Sequence, residues 1–176
     1  EKNILLDLIR NCRVCVLGPG LGAGFDSLIK TVWNSNIPIV LDADGIRWLA
    51  RELPRKREGK LVVTPHPGEA TDLVKGKELD RFKTILLLRE HFGGDWILKG
   101  AGTLISESKT LWINKLNMPQ LGTAGSGDVL AGFVAGVWSR GSKTPARTGV
   151  WLHSCFAKDA FEKKTSPFLT ASDLLN

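Results

Sequence analysis

Short apolar runs ending in glycine or a polar turn, each followed by a helix-like stretch, recur along the chain and restrict its fold more than any other feature. RVCVLGPG (13–20), IPIVLDADG (37–45), KLVVTPHPG (60–68) and DWILKG (95–100) read as strands. Their apolar residues do not alternate with polar ones, as expected of strands buried on both faces. GFDSLIKTVWNSN (24–36), IRWLAREL (46–53), EATDLV (69–74) and ELDRFKTILLLREHFG (78–93) read as helices. TLISES and TLWIN read as a hairpin turning around residues 106–110, and Ser126–Lys164 as helix with a break near RGSKTP. Strand–helix alternation predicts an α/β fold, a mainly parallel sheet with helices on both faces. No internal repeat, linker or low-complexity tract interrupts the pattern, so residues 1–176 are expected to form one domain.

In open α/β sheets ligands bind beyond the carboxyl ends of the strands. Those ends read GPGLG (18–22), DADG (42–45), TPHPGE (64–69) and KGAGT (99–103), and GTAGSGD (122–128) follows the hairpin. Five Gly-rich or polar turns converging on one edge predict a polar cleft there.

Composition narrows the class. The chain of 176 residues is 43% hydrophobic and 24% charged, with a net charge of +6, ordinary for a globular protein. No apolar run approaches the roughly 20 residues that span a membrane, and EKNILLDLIR lacks the basic start and cleavage site of a secretory signal. The expected location is the cytoplasm, with no membrane partner. The cluster PRKREGK (54–60) lacks interleaved aromatics for base stacking, so it is read as a solvated loop and no nucleic-acid partner is expected. Cys12, Cys15 and Cys155 are an odd set, consistent with a reducing compartment. Cys12 and Cys15, in CRVC, are expected to be buried or on an edge strand rather than a redox or metal pair. The six tryptophans are expected mostly in the core.

GPGLGA fits the dinucleotide fingerprint at Gly18, Gly20 and Ala23, with Asp42 22 residues beyond Gly20. That acid opens DADG, a turn with two acids, rather than closing a strand. A dehydrogenase reading also leaves GSGD without a role.

GSGD has chemistry of its own. Glycines let backbone approach a ligand, and successive N–H groups make a concavity for an anion. A helix starting there adds its free N–H groups and positive end. An aspartate in the first turn then sits beside a bound phosphoryl group and can take the proton of an attacking hydroxyl. A helix start with an ordinary first-turn acid fits the same residues, and the stretch alone leaves both readings open.

NMPQLGTAGSGDVLAGFVAG resembles the signature of the ADP/ATP-dependent NAD(P)H-hydrate dehydratases, within the ribokinase-like superfamily. VLGPGLG, PIVLDADG, VVTPHPGEA, ILKGAGTLI and ASDLL resemble that family's other blocks, in the same order. The resemblance covers nearly the whole chain, and the combination of TPHPGE, KGAGT and GSGD is specific. It implies a ribokinase-like fold and an enzyme that repairs NADHX and NADPHX, the hydrated forms of NADH and NADPH. The S form is phosphorylated on its ring hydroxyl by a nucleotide, then loses phosphate to regain the double bond.

Carried over residue by residue, the resemblance implies Asp128 as the base, in contact with the hydrate. Gly20 and His66 would contact the hydrate. Gly125, Ser126 and Gly127 would form the anion hole. Lys99, Gly100, Ala101, Gly102 and Thr103, with Gly127, would line the nucleotide site. ADP is the expected donor over ATP, because GSGD resembles bacterial members more than the GQGD typical of eukaryotes. Mg²⁺ is expected on the nucleotide, with no protein ligand assigned. A homo-oligomer, for which a tetramer is one form, and an NAD(P)H-hydrate epimerase as fused or cooperating partner are also implied. The alternatives are a vitamin-precursor type kinase of the same superfamily and a non-catalytic nucleotide-binding remnant.

Prolines 65 and 67 fix the backbone around His66. Its ring either bonds a neighbouring carbonyl or meets the substrate, and the second is expected. Lys99 is read as a phosphate or nucleotide neighbour rather than a solvated strand end. His91 and His153 are read as structural. Asp42 is expected to cap the next helix, and Asp44 is left open between cap and magnesium. Ala124 stands where the family pattern has a glycine, a small-for-small change. Family domains carry roughly 90 to 100 residues ahead of the GPGLG block, a span consistent with common domain sizes. Here Gly18 is preceded by 17 residues, so the chain is expected to lack the N-terminal part of the family domain.

Overall fold

The computed structural model describes residues 7–9, 11–53, 56–57, 60–164 and 168–175. Six strands form one sheet in the order β1 (Cys15–Leu17), β2 (Ile39–Leu41), β3 (Leu61–Val63), β4 (Asp95–Leu98), β5 (Leu104–Glu107) and β6 (Thr110–Ile113). β1 to β4 are parallel, and β5 and β6 join antiparallel. The helices are α1 (Asp26–Trp33), α2 (Ala43–Glu52), α3 (Pro67–Leu73), α4 (Arg81–Phe92), α5 (Ser126–Ser139) and α6 (Pro145–Lys163).

Sheet neighbours are also sequence neighbours, so same-handed crossovers put α1 to α4 on one face. That layer packs Ile29, Trp48, Ile85 and Phe92 against Leu17, Ile39, Leu41, Val63, Trp96 and Leu98. The other face is left to the C-terminal helices. Val40, Val62, Ile97 and Ile105 meet Leu130, Ala131 and Val134 of α5 and Ala146 and Val150 of α6. Strand residues thus feed the two cores alternately, which is why the strands read as continuous apolar runs. Each fully buried aliphatic contributes roughly 1.5–3 kcal/mol of transfer free energy.

The sequence expectations hold for element type and shift at the boundaries. The α3 helix starts two residues earlier than EATDLV, because Pro67 fits the first helical position and His66 caps it. The α4 helix starts at Arg81, where the Asp80 carboxylate accepts from the Lys83 N–H at 2.8 Å. The hairpin turns through Ser108 and Lys109, both left-handed (φ 50° and 66°), as a tight two-residue connection requires.

Three expectations hold only in part. Arg57, inside the basic cluster, is not solvated: it is buried and donates to the carbonyls of Trp33, Ser35, Ile37 and Lys60. Pro54, Arg55, Glu58 and Gly59 of that cluster lie outside the described residues. Trp33, Trp48 and Trp96 are core and Trp138 packs against it, so four of the six tryptophans are as expected, but Trp112 and Trp151 are exposed at 42% and 58%. Arg147 stacks over the Trp112 ring, 4.1 Å from its centroid, which accounts for an indole on an edge strand. Cys15 is half-buried on edge strand β1, and burial pushes its thiol pKa up. Cys12 is exposed and outside any strand, and Cys155 is half-buried on α6.

Candidate functional site

Strand-end backbone is tied across the sheet just beyond the ladders. The Asp42 N–H donates to Leu17 O, Thr64 N–H to Leu41 O, and Lys99 N–H to Pro65 O, all between 2.9 and 3.1 Å. The first residues after β2, β3 and β4 are therefore held in line. A Cβ on Gly18 would lie 1.9 Å from Asp42 O, so this position accepts only glycine. Its need is met by protein backbone, which removes the basis of the dinucleotide fingerprint.

Asp42 occupies the cap position of α2, yet its side chain does not cap. It turns to Lys99, whose ammonium lies 2.9 Å from Asp42 Oδ1. The expected cap is thus corrected, and the reason is electrostatic. A carboxylate side chain only 2% exposed requires a charged or multiply bonded partner, and Lys99 supplies it. Asp44 does not cap α2 either. It accepts from the Gly22 N–H at 2.8 Å and pairs with Arg47 at 2.6 Å, pinning the GPGLG loop.

His66 caps α3 in a reciprocal box. Its Nδ1 accepts from the Glu69 N–H at 3.2 Å, and Glu69 Oε2 accepts from the His66 N–H at 2.8 Å. The ring therefore bonds a neighbouring N–H, not a carbonyl, and its side chain stays 56% exposed at the cleft.

GTAGSGD leads into α5 through Gly125, left-handed at φ 83°. Ser126 Oγ donates to Leu121 O, fixing the preceding turn. The N–H groups of Gly127 and Asp128 have no partner among the described residues, as at any helix start. Opposite them is the Lys99–Asp42 pair. A Cβ on Gly127 would lie 3.1 Å from Lys99 Nζ and 3.6 Å from Asp42 Oδ2.

These parts line a cavity of about 600 Å³. His66, Lys99, Gly100, Ala101, Gly102, Thr103, Ser126 and Gly127 all contribute to its wall. Gly20, Gly125 and Asp128 lie outside that lining. Asp128 is exposed on the first turn of α5, and Gly20 is exposed in the loop tied to Asp44.

Sequence reading assigned no site role to His153 and Asn114. His153 is buried at 5% exposure yet lines the cavity. Burial, and the Lys99 charge to a lesser degree, push its pKa down to about 4, while a backbone contact at Ser126 opposes them. Its Nε2 has no hydrogen-bond partner among the described residues. Asn114 Nδ2 donates to Ser154 Oγ at 2.8 Å, and both residues line the same wall. A polar His-Ser pair on the inward face of an apolar helix was the available signal.

Among the described residues no group of three His, Cys, Asp or Glu is placed to hold a metal ion. The unpartnered amides at the start of α5 and the Lys99 ammonium border one cavity, and Asp128 stands on the first turn of the same helix outside its lining.

Comparison with known proteins shows the family. Residues 1–176 match the NAD(P)H-hydrate dehydratase family model over their whole length. The chain is 38% identical over 179 residues to the bifunctional NAD(P)H-hydrate repair enzyme Nnr of Coxiella burnetii, covering 97% of this chain and 36% of that protein. It is 33% identical over 158 residues to the ADP-dependent (S)-NAD(P)H-hydrate dehydratase of Neisseria meningitidis, covering 81% of this chain and 53% of that one. The structure of the Bacillus subtilis ADP/ATP-dependent NAD(P)H-hydrate dehydratase, co-crystallised with ATP and Mg²⁺, superposes with a TM-score of 0.78 at 27% identity, covering 92% of this chain and 61% of that one. The chain thus spans little more than a third of the length of its bifunctional relatives. The architecture is ribokinase-like. With the family's blocks in order along the chain and its Gly-rich turns gathered on one sheet edge, this chain belongs to the NAD(P)H-hydrate dehydratase family.

Proposed function

We propose that the protein catalyses nucleotide-dependent dehydration of the S form of NADHX and NADPHX, with ADP as preferred donor. The observation that carries this reading is the cavity wall itself. The Lys99–Thr103 loop and the unpartnered N–H groups of the α5 start share it, with Asp128 on the first turn of the same helix. Support also comes from the relatives, named as an ADP-dependent (S)-NAD(P)H-hydrate dehydratase and an ADP/ATP-dependent one.

The ring hydroxyl attacks the terminal phosphoryl group of the nucleotide and passes its proton to Asp128. The bond from phosphorus to the departing nucleotide oxygen breaks, leaving AMP when ADP is the donor. The carbon–oxygen bond of the new ester then breaks, phosphate leaves with the electron pair, and loss of a proton from the adjacent ring carbon forms the double bond. Residues 99–103 hold the nucleotide, and Gly125, Ser126 and Gly127 hold the transferring group. Gly20 and His66 contact the hydrate at the rim. Positioning and charge stabilisation carry such a transfer. Mg²⁺ on the nucleotide neutralises charge on its phosphates. The reading extends to a single dehydratase domain, to a homo-oligomer in the cytoplasm, and to an epimerase partner, since the Coxiella relative is bifunctional. No described helix is long and apolar enough to cross a membrane.

The test is recovery of reduced-nicotinamide absorbance from hydrated NADH with ADP and Mg²⁺, using the full-length protein and Asp128→Ala. Recovery should fall by roughly a hundredfold to ten-thousandfold in the variant, as for loss of a general base. A stable phosphorylated product without recovered absorbance would instead show a kinase.

A further inference from the structure

Arg81 opens α4 and is half-buried. A cation at this end of a helix meets the positive end of the dipole, and Arg81 has no ion pair among the described residues. Something else must offset that placement. Its guanidinium reaches under the KGAG loop after β4. Nη1 donates to Ala101 O at 2.6 Å, and Nη2 lies 3.3 to 3.5 Å from the carbonyls of Leu98, Lys99 and Gly102. The remaining carbonyl, Gly100 O, accepts from Thr103 Oγ1 at 3.0 Å.

Every carbonyl from residue 98 to 102 is thus engaged on the protein side of the loop. The N–H groups of Gly100, Ala101 and Gly102, in contrast, have no partner among the described residues, and these residues line the cavity. Gly100 makes the close approach possible. A Cβ there would lie 3.4 Å from Arg81 Nη2 and 4.0 Å from Pro67 Cγ, and its φ is 128°.

We propose that Arg81 is a positioning residue for the nucleotide. It gathers the loop carbonyls and so leaves the amide edge of residues 100–102 free for phosphate. The inference rests on the reading of this loop as the nucleotide site. Arg81 itself meets neither the substrate nor the reacting atoms.

The test compares full-length wild type, Arg81→Ala and Arg81→Lys by calorimetric titration with ADP, by steady-state kinetics in both substrates, and by hydrogen exchange at residues 99–103. A lysine cannot reproduce a fork with five donors. Both variants should bind ADP about tenfold or more weakly, the scale of a charge-assisted hydrogen bond. The KM for the hydrate should move less than about twofold, since the hydrogen bonds of Arg81 go to the loop carbonyls and not to His66, Gly20 or Asp128. Added methylguanidinium should restore part of the ADP affinity of Arg81→Ala, which a fold defect would not allow. Unchanged ADP affinity in Arg81→Ala overturns the proposal, as does a loss shared equally by both substrates without rescue. If wild type itself binds no ADP, the nucleotide reading fails separately. Hydrogen exchange then decides the clamp: faster exchange at residues 99–103 in Arg81→Ala supports it, and unchanged exchange overturns it.

Discussion

The Lys99 ammonium and the Asp42 carboxylate, 57 residues apart in the chain, meet at 2.9 Å on the cavity edge. The two ends are unequally buried, with side-chain exposures of 20% for lysine and 2% for aspartate. This inequality sets the cost of breaking the pair. Lys99→Met strands a buried carboxylate and should cost about 3 kcal/mol or more, whereas Asp42→Asn leaves a partly hydrated ammonium and should cost about 1 kcal/mol. The double variant should recover most of the Lys99→Met loss. Urea denaturation of the four proteins checks this, and equal costs for the two single changes would contradict it.

Gly127 faces the same pair. A methyl there would stand 3.1 Å from Lys99 Nζ, the movable end of a long side chain, and within 3.6 Å of Asp42 Oδ2. The fold should therefore accept Gly127→Ala with a change under about 1 kcal/mol, typical where a flexible group yields. Under the proposed function phosphoryl transfer should not accept it, because the methyl would displace the ammonium and fill the space assigned there to the transferring group. A fall in kcat of about a hundredfold is expected, on the scale of losing one preorganised donor. Tm and turnover measured together separate the two effects.

Much of this site was legible because strand ends punctuate themselves. KGAGT, TPHPGE and GSGD announce turns through Gly and Pro, and the sheet order brings them to one edge. What escaped was side-chain reach. Asp42 stands at a helix start, so local rules assign it a cap, but a lysine 57 residues later claims its carboxylate. His66 reads as a substrate contact through the family resemblance, and its prolines show only that the ring is held, while its capping role depends on Glu69 answering it. His153 reads as structural because its helical pattern fixes an inward face but not the cavity that this face lines together with the start of α5. Charge density likewise misled: in PRKREGK the composition of the run is that of a solvated loop, and burial of one arginine depends on carbonyls elsewhere.

Those carbonyls make Arg57 a structural keystone. The chain leaving α1 exposes Trp33 O, Ser35 O and Ile37 O to the interior, and the one guanidinium satisfies all three along with Lys60 O. Burial pushes the Arg57 pKa down, yet guanidinium remains charged at any physiological pH. Arg57→Ala should cost about 3 kcal/mol or more by leaving several buried acceptors unpaired. Arg57→Lys should recover only part, since an ammonium has three donors on one atom. Chemical denaturation of both variants tests this, and a loss under about 1 kcal/mol in Arg57→Ala would show the acceptors to be hydrated.

The C-terminal layer has its own narrow tolerance. A Cβ on Gly149 would lie 2.5 Å from Val134 Cγ2 and 2.9 to 3.0 Å from Val134 Cα and N. The side-chain clash can relax but the backbone one cannot, so α5 and α6 must separate. Gly149→Ala should destabilise by about 1–3 kcal/mol, as overpacking does. Trimming Val134 to alanine in the same protein should not rescue it. Full rescue would mean that only the side chain was in the way.

His153 gives the protein an acid sensitivity whose sign follows from burial. Its folded pKa is down to about 4 against an ordinary 6.5. Between those values the unfolded chain takes up a proton that the folded chain refuses, so stability falls as pH drops from 6.5 towards 4 and the effect levels off below. A shift of that size corresponds to at most about 3 kcal/mol. In His153→Gln, which has no titrating ring, that part of the loss should vanish, leaving a flatter stability profile between pH 7 and 4.5, the window bracketed by the two pKa values. Near neutral pH the variant should be the less stable, because glutamine fits the cavity wall differently. Thermal unfolding of the two proteins across that range decides the point: parallel profiles would mean that the imidazole gains its proton without leaving the fold.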